Sequence, residues 1–436
     1  MAPKSHQGTR SSPPADSQDR HKRLWSTTLF GSLVWILGTS VITLATWNAL
    51  SGPQGLRGLD DLEVYRGAIQ SFRSGHGLYT FQSSSIGDAF TYPPTAALVI
   101  MPFALIPYTW SAVLWTCMCI AGAVSIALMV GRSIAARQPR GTIPVDAITT
   151  SGLAFTAIAA SAPLASNLRF GQISILVCAL VIADLLCLSG TRAAGGLVGL
   201  AAAIKLTPLI FILYLWLAGR RRATTVAIAT FVACAIVAWT IVPRASVEFW
   251  SSVVFEGGTV HAFTSSGNIS LDALLQRLGV HGQIHTMLWI PICLAVVVVA
   301  LRRAIQAGHA GDDLGAMVIV GAASLVVSPI SWTHHQIWLV LAAFVVLRSP
   351  EQRLPGRWTL VAQAAWTGAT LSIMVLSAAE LRPFLAIAVA TLIPIRRTVR
   401  DGAPPHGALR HLSELRGALK PSALLPARLG RGNRGK

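Results

Sequence analysis

Residues 25–50 read "WSTTLFGSLVWILGTSVITLATWNAL", without one charged side chain. A helix of that length rises ~39 Å at 1.5 Å per residue, enough to cross a hydrocarbon core of roughly 30 Å. It is too long for the apolar core of a cleaved leader and is expected to stay as a membrane span. Working outward, similar runs recur to about residue 395. The chain of 436 residues is 53% hydrophobic and 12% charged, with a mean hydropathy of +0.59. The expected fold class is therefore an all-α polytopic membrane protein with about 12 transmembrane helices.

The net charge of +18 raises the question of nucleic acid. The basic residues lie between apolar runs and in the tails, with no basic stripe interleaved with aromatics, so no nucleic-acid partner is expected. Basic links on one membrane face follow the positive-inside rule. Lys4, Arg10, Arg20, Lys22 and Arg23 put the N-terminus in the cytoplasm, and the alternation of spans returns the C-terminus there. The expected organisation is a basic tail (1–23), a transmembrane catalytic domain (24–395) and a basic, disordered tail (396–436). Within the domain, 51–107 forms a first external loop with two interfacial helices, and 243–283 a second. The six cysteines fall inside apolar runs without a Cys-x-x-Cys pair, so neither disulfides nor zinc are expected. No metal or other cofactor is expected.

Six segments on the outer side carry the chemistry. "GLDDLEVYRGAIQSFRSGHGLY", 58–79, places Asp60, Asp61, Glu63 and Arg66 in seven positions of a chain with only 17 acidic residues. Leu62, Tyr65, Ile69 and Phe72 form a helical stripe suited to the membrane surface. The carboxylates either cap that helix or act chemically. "YPP", 92–94, opens a second interfacial helix of about 14 residues. "SNLRFGQIS", 166–174, reads as a tight external turn at Gly171 carrying Asn167, Arg169 and Gln172 as donors. "GLAAAIKLTP", 199–208, leaves Lys205 among apolar residues where Pro208 breaks the helix into two half-helices. A lysine there either snorkels or meets an anion, and a ligand phosphate would serve. "SPISWTHH", 328–335, offers His334 or His335, or only an aromatic belt around Trp332. "SSGNISLDALLQRLG", 265–279, supplies Asn268, Ser270 and Arg277, as ligands or as a cap and an amphipathic helix. Asp184, inside a span, is assigned no chemistry.

In this order, "DLEVYR", "YPP", "GQIS", "GLAAAIKLTP" and "SPISWTHH" resemble the GT-C class of membrane glycosyltransferases. More narrowly they resemble glycosyltransferase family 87, the actinobacterial polyprenyl-phosphate-mannose-dependent α-mannosyltransferases. The resemblance covers residues 25–395. It implies a GT-C-type fold in the plasma membrane with an active site on the periplasmic face. It implies a polyprenyl-phosphate-linked mannose donor and a glycolipid acceptor of the phosphatidylinositol mannoside or lipomannan type, joined with an α-(1,2) linkage. Asp61, four before Tyr65, is the implied general base. The leaving phosphate is anionic and calls for cations, for which Lys205 and Arg169 are candidates, assisted by His334 or His335. Asp60, Tyr65, Arg66, Tyr92, Asn167, Gln172, Asn268, Arg277 and Trp332 are candidate substrate-binding residues. Membrane lipids are the remaining expected partners. An arabinosyl- or glucosyltransferase, and a lipid-linked sugar transporter, are the competing readings.

Overall fold

The computed structural model describes residues 15–51, 58–83, 88–136, 146–255, 265–345, 356–376 and 378–392. The expected C-terminal tail (396–436), most of the N-terminal tail and part of the second external loop lie outside these residues. Helices account for the fold, and among the described residues the β-structure is one isolated bridge, Gln82 to Ala89. In chain order the helices are α1 (Ala15–Leu50), α2 (Asp60–Arg73), α3 (Pro94–Leu105), α4 (Tyr108–Ala135), α5 (Ala147–Ala159) and α6 (Ala162–Phe170). Then follow α7 (Ser174–Cys187), α8 (Gly196–Ile204), α9 (Leu209–Leu217), α10 (Arg221–Ile241), α11 (Pro243–Ser251) and α12 (Leu271–Arg277). The last are α13 (Gly282–His309), α14 (Asp313–Val327), α15 (Ile337–Ala342), α16 (Gly356–Val375) and α17 (Arg382–Thr391). The first helix begins at Ala15, inside what the sequence suggested was a tail ending at residue 23.

Among the described residues, four helices are long and apolar enough to cross a membrane: Leu29–Leu50 of α1, then α4, α10 and α13. The bent pair α5–α6 makes a fifth if it is one span. Several other apolar helices, such as α7 and α14, are shorter than a bilayer is thick. This is a membrane protein by its surface as well. Leu33, Ile36 and Leu37 on α1, Ile236 and Val237 on α10, and Ile290 and Leu294 on α13 are all more than half exposed. Apolar side chains in such numbers need lipid against them.

Two breaks in helices position the site. Ser161 caps α6 through Leu164 N, Pro163 sits in the first turn, and α6 leaves α5 at 61°. The segment 166–170 is therefore helical. The expected tight turn shrinks to Gly171, whose φ of 68° is the left-handed region glycine favours. The second break is the one expected at "KLTP": α8 ends at Ile204, Lys205 is extended, and α9 resumes after Pro208. Asp184 anchors the start of α8. Its carboxylate accepts from Gly195 N (2.7 Å), Leu197 N (2.8 Å) and Val198 N (3.0 Å), which explains a buried acid without assigning it chemistry.

Candidate active site

Leu59 is the N-cap of α2, so Asp60 and Asp61 open its first turn. Successive helical residues point about 100° apart, and the two acids go separate ways. Asp60 is buried and lies 3.8 Å from Arg169 of α6. Asp61 meets Gln172, one residue past the Gly171 turn. Packing fixes this: Leu59, Leu62 and Tyr65 are fully buried, and a Cβ on Gly171 would come within 3.0–3.1 Å of Leu62 and Leu59. Trp115 of α4 donates to Gly171 O (2.7 Å) and holds the turn in place.

Gln172 is the hub. Its Oε1 accepts from Tyr65 Oη (3.0 Å) and Tyr92 Oη (3.1 Å). Burial pushes both phenols up, so they remain donors at neutral pH. With the oxygen occupied, the amide N–H groups are left to face Asp61. Burial raises the Asp61 carboxyl to about 7, against the hydrogen bond from Gln172 and the charge of Lys205, which pull it down. A carboxylate poised there exchanges protons at physiological pH, as a general base must.

Lys205 enters from the α8–α9 break. Its Nζ donates to Ser174 Oγ (3.2 Å), lies 5.2 Å from the Tyr92 ring centroid and is 2.7 Å from His335 Nε2. It points inward to a polar cluster and does not snorkel. His335 Nδ1 accepts from Trp332 N (3.1 Å), so the neutral imidazole carries its proton on Nε2. Burial, reinforced by the Lys205 charge, holds both His334 and His335 well below the usual histidine range. An ammonium at Lys205 would thus set two donors side by side, and an anionic oxygen lying beside the pair would accept from both. A small cavity of about 40 Å³ adjoins the pair, bordered by Ser174, Ser331, Phe211 and Trp338.

His334 turns the other way, with Nδ1 3.4 Å from Ser166 Oγ of α6. Of the two histidines, then, it is His335 that reaches Lys205. Several expected ligands are used elsewhere. Arg66 donates to Phe103 O and to Ile106 O (3.0 Å), stacking over Tyr108, and so closes the carbonyl end of α3. Asn268 Oδ1 accepts from Ser270 N (3.1 Å) and Ser331 N (2.8 Å), while Arg277 donates to Ser265 O and Asn268 O (both 2.8 Å). Together they tie the second loop to the 329–335 turn, and Ser270 caps α12 as a helix start requires. Trp332 contributes its backbone N–H. Asn167 brackets the Gly171 turn through Ile175 N (3.1 Å). Arg169 donates to Gly58 O. Ser174 and Ser331 were not singled out beforehand, since a serine in an apolar run carries no signal of its own. Among the described residues no three His, Cys, Asp or Glu converge as metal ligands.

Residues 90–329 match the model of glycosyltransferase family 87. That stretch holds Tyr92, Gln172 and Lys205, while Asp61 and His335 fall on either side of it. The chain is similar to a polyprenol-phosphate-mannose-dependent alpha-(1-2)-phosphatidylinositol mannoside mannosyltransferase of Mycobacterium tuberculosis, with 28% identity over 72% of this chain and 75% of the relative. Its counterpart in Mycolicibacterium smegmatis is 30% identical over 71% and 76%. A polyprenol-phosphate-mannose-dependent alpha-(1-2)-phosphatidylinositol pentamannoside mannosyltransferase of M. smegmatis is 31% identical over 74% and 77%. No solved structure matches the chain. A cluster that joins a poised carboxylate to a cation, in a membrane protein with these relatives, fits sugar transfer from a phosphate carrier, and the chain belongs to glycosyltransferase family 87.

Proposed function

We propose that this hexosyltransferase moves mannose from polyprenyl-phosphate mannose to a mannose hydroxyl of a phosphatidylinositol mannoside-type glycolipid, forming an α-(1,2) linkage with inversion. The observation that carries the reading is the hub at Gln172, which holds the Asp61 carboxyl on one side and neighbours the Lys205–His335 pair on the other. Asp61 takes the proton of the acceptor hydroxyl as its oxygen bonds to the anomeric carbon. The bond from that carbon to the phosphate oxygen breaks, and the electron pair leaves with polyprenyl phosphate. Lys205 Nζ and His335 Nε2–H donate to the departing phosphate, which as an anion needs donors and no acid. Tyr65 and Tyr92 fix the Gln172 amide and thereby the carboxylate. The active site is read as facing the periplasm, with both termini cytoplasmic and α2 and α3 lying in the outer interface of the plasma membrane.

Membranes carrying the chain are to be incubated with labelled polyprenyl-phosphate mannose and phosphatidylinositol mannosides, and the product linkage analysed. Label should enter an α-(1,2) mannoside, and Asp61→Asn should lower the rate by about 10²–10⁴. A wild-type protein that transfers no label, or an Asp61→Asn variant as active as wild type, would overturn the reading.

A further inference from the structure

A second opening lies on the other flank of the acidic pair. Val41, Ala45 and Asn48 share one face of α1, at spacings of four and three. Across from them stand Ala160 at the α5–α6 bend and Ala165 and Arg169 one turn apart on α6. They bound an open groove of about 360 Å³, kept clear by small side chains. Its walls are apolar and its polar end is Arg169 with the exposed amide of Asn48.

Arg169 is placed to take an anion. Nη1 donates to Gly58 O and stands 3.8 Å from Asp60 Oδ2, and Cζ lies 5.6 Å from the Phe170 ring. Asp60 thus holds one edge of the guanidinium. The side chain remains 45% exposed, and its Nε and Nη2 donors have no hydrogen-bond partner among the described residues. That free edge is the planar fork that fits two oxygens of a phosphodiester.

We propose that this groove receives the lipid part of the acceptor, an anionic glycerophospholipid, with an acyl chain along Val41, Ala45, Ala160 and Ala165 and the phosphodiester on Arg169. The inference rests on the reading above, that the acceptor is a lipid-anchored mannoside. Inversion requires the incoming hydroxyl and the leaving phosphate to sit on opposite faces of the anomeric carbon. Two lipids, each with its own anion, then need two separate anchors. The divergence of Asp60 toward Arg169 and of Asp61 toward Gln172 and Lys205 supplies them. The sequence alone grouped Arg169 with the donor phosphate; its position in the fold assigns it to the acceptor.

The test uses the full chain in phosphatidylcholine nanodiscs with polyprenyl-phosphate mannose and two acceptors, a phosphatidylinositol mannoside and an octyl mannoside that lacks phosphate. Arg169→Gln should lower kcat/KM for the phospholipid acceptor at least tenfold more than for octyl mannoside, with donor KM within twofold. Arg169→Lys should fall between, and Ala45→Phe, which fills the groove, should reproduce the selective loss. Equal losses on both acceptors, or a raised donor KM, would overturn the proposal by returning Arg169 to the donor or to a purely structural role. A binding arm separates this from the function reading. A phosphatidylinositol with a photoreactive acyl chain should label residues 41–50 or 160–169 of the wild-type protein, and Ala45→Phe should suppress that label. An active wild type without such labelling overturns the groove alone. A labelled but inactive wild type supports the groove and overturns the transfer reading.

Discussion

Replacing Gln172 with leucine should move the pH dependence of catalysis in a direction the structure fixes. Gln172 donates to Asp61, and that bond is the largest influence opposing the rise that burial imposes on the carboxyl, which stands at about 7. Hydrogen bonds to charged groups contribute about 1.5–3 kcal/mol, and each pH unit corresponds to about 1.36 kcal/mol. Losing the amide should therefore raise the Asp61 midpoint by about one to two units. At pH 7 the ionised fraction falls from about half to between a tenth and a hundredth, so kcat/KM should drop about fivefold to fiftyfold and recover as pH rises toward 9. Profiles of kcat/KM between pH 5 and 9, with wild type and Gln172→Leu side by side in nanodiscs, measure this. A rising limb that stays near 7 while the plateau falls, or a limb that moves to lower pH, would refute the assignment of Asp61 as the base held by Gln172.

Other outcomes follow from the same geometry. The Asp61 carboxyl is raised in the folded chain from an ordinary 3.8 to about 7, so stability is fully present below pH 4 and is lost as pH rises through 7. Asp61→Asn should raise Tm over wild type at pH 8 by an amount that vanishes at pH 4, the underlying gain in stability being bounded by about 4 kcal/mol; an equal gain at both pH values would contradict it. Gly171→Ala forces a left-handed residue to carry a Cβ close to Leu59 and Leu62, and should cost about 1–2 kcal/mol while slowing transfer, checked by thermal unfolding and rate together. Asp184→Ala strands three backbone N–H groups and should cost about 3–5 kcal/mol, with donor KM unchanged in whatever protein folds. Gln70, exposed on α2, should be labelled as Gln70→Cys by a membrane-impermeant thiol reagent in whole cells, and labelling only after permeabilisation would reverse the topology.

The apolar runs and the break at Lys205 were legible in the sequence, because each is a local violation of composition: a long stretch without charge, a lysine among alanines. The uses of the remaining donors were not. Arg66, Asn268 and Arg277 looked as fit for a sugar as Gln172, yet they satisfy backbone groups at a helix end and in a loop. Whether a donor faces a ligand or a backbone depends on which elements lie beside it. His334 and His335 posed the same difficulty: a short 3₁₀ turn sends one to Ser166 and the other to Lys205, and adjacency in sequence says nothing about that divergence. Asn167 and Arg169 were misread as turn residues because the helix that carries them starts only at Ser161, after a bend whose size depends on packing against α1.

The interruption between α8 and α9 has a consequence for engineering. Lys205 reaches its neighbours because the chain is extended there, and a continuous helix through 196–217 would rotate and lift that amine away from Ser174 and His335. Mending flaws in membrane helices is a common route to a hardier protein. On the proposed mechanism that flaw carries the phosphate-binding lysine, and a sequence improved at Pro208 would gain toughness by surrendering its turnover.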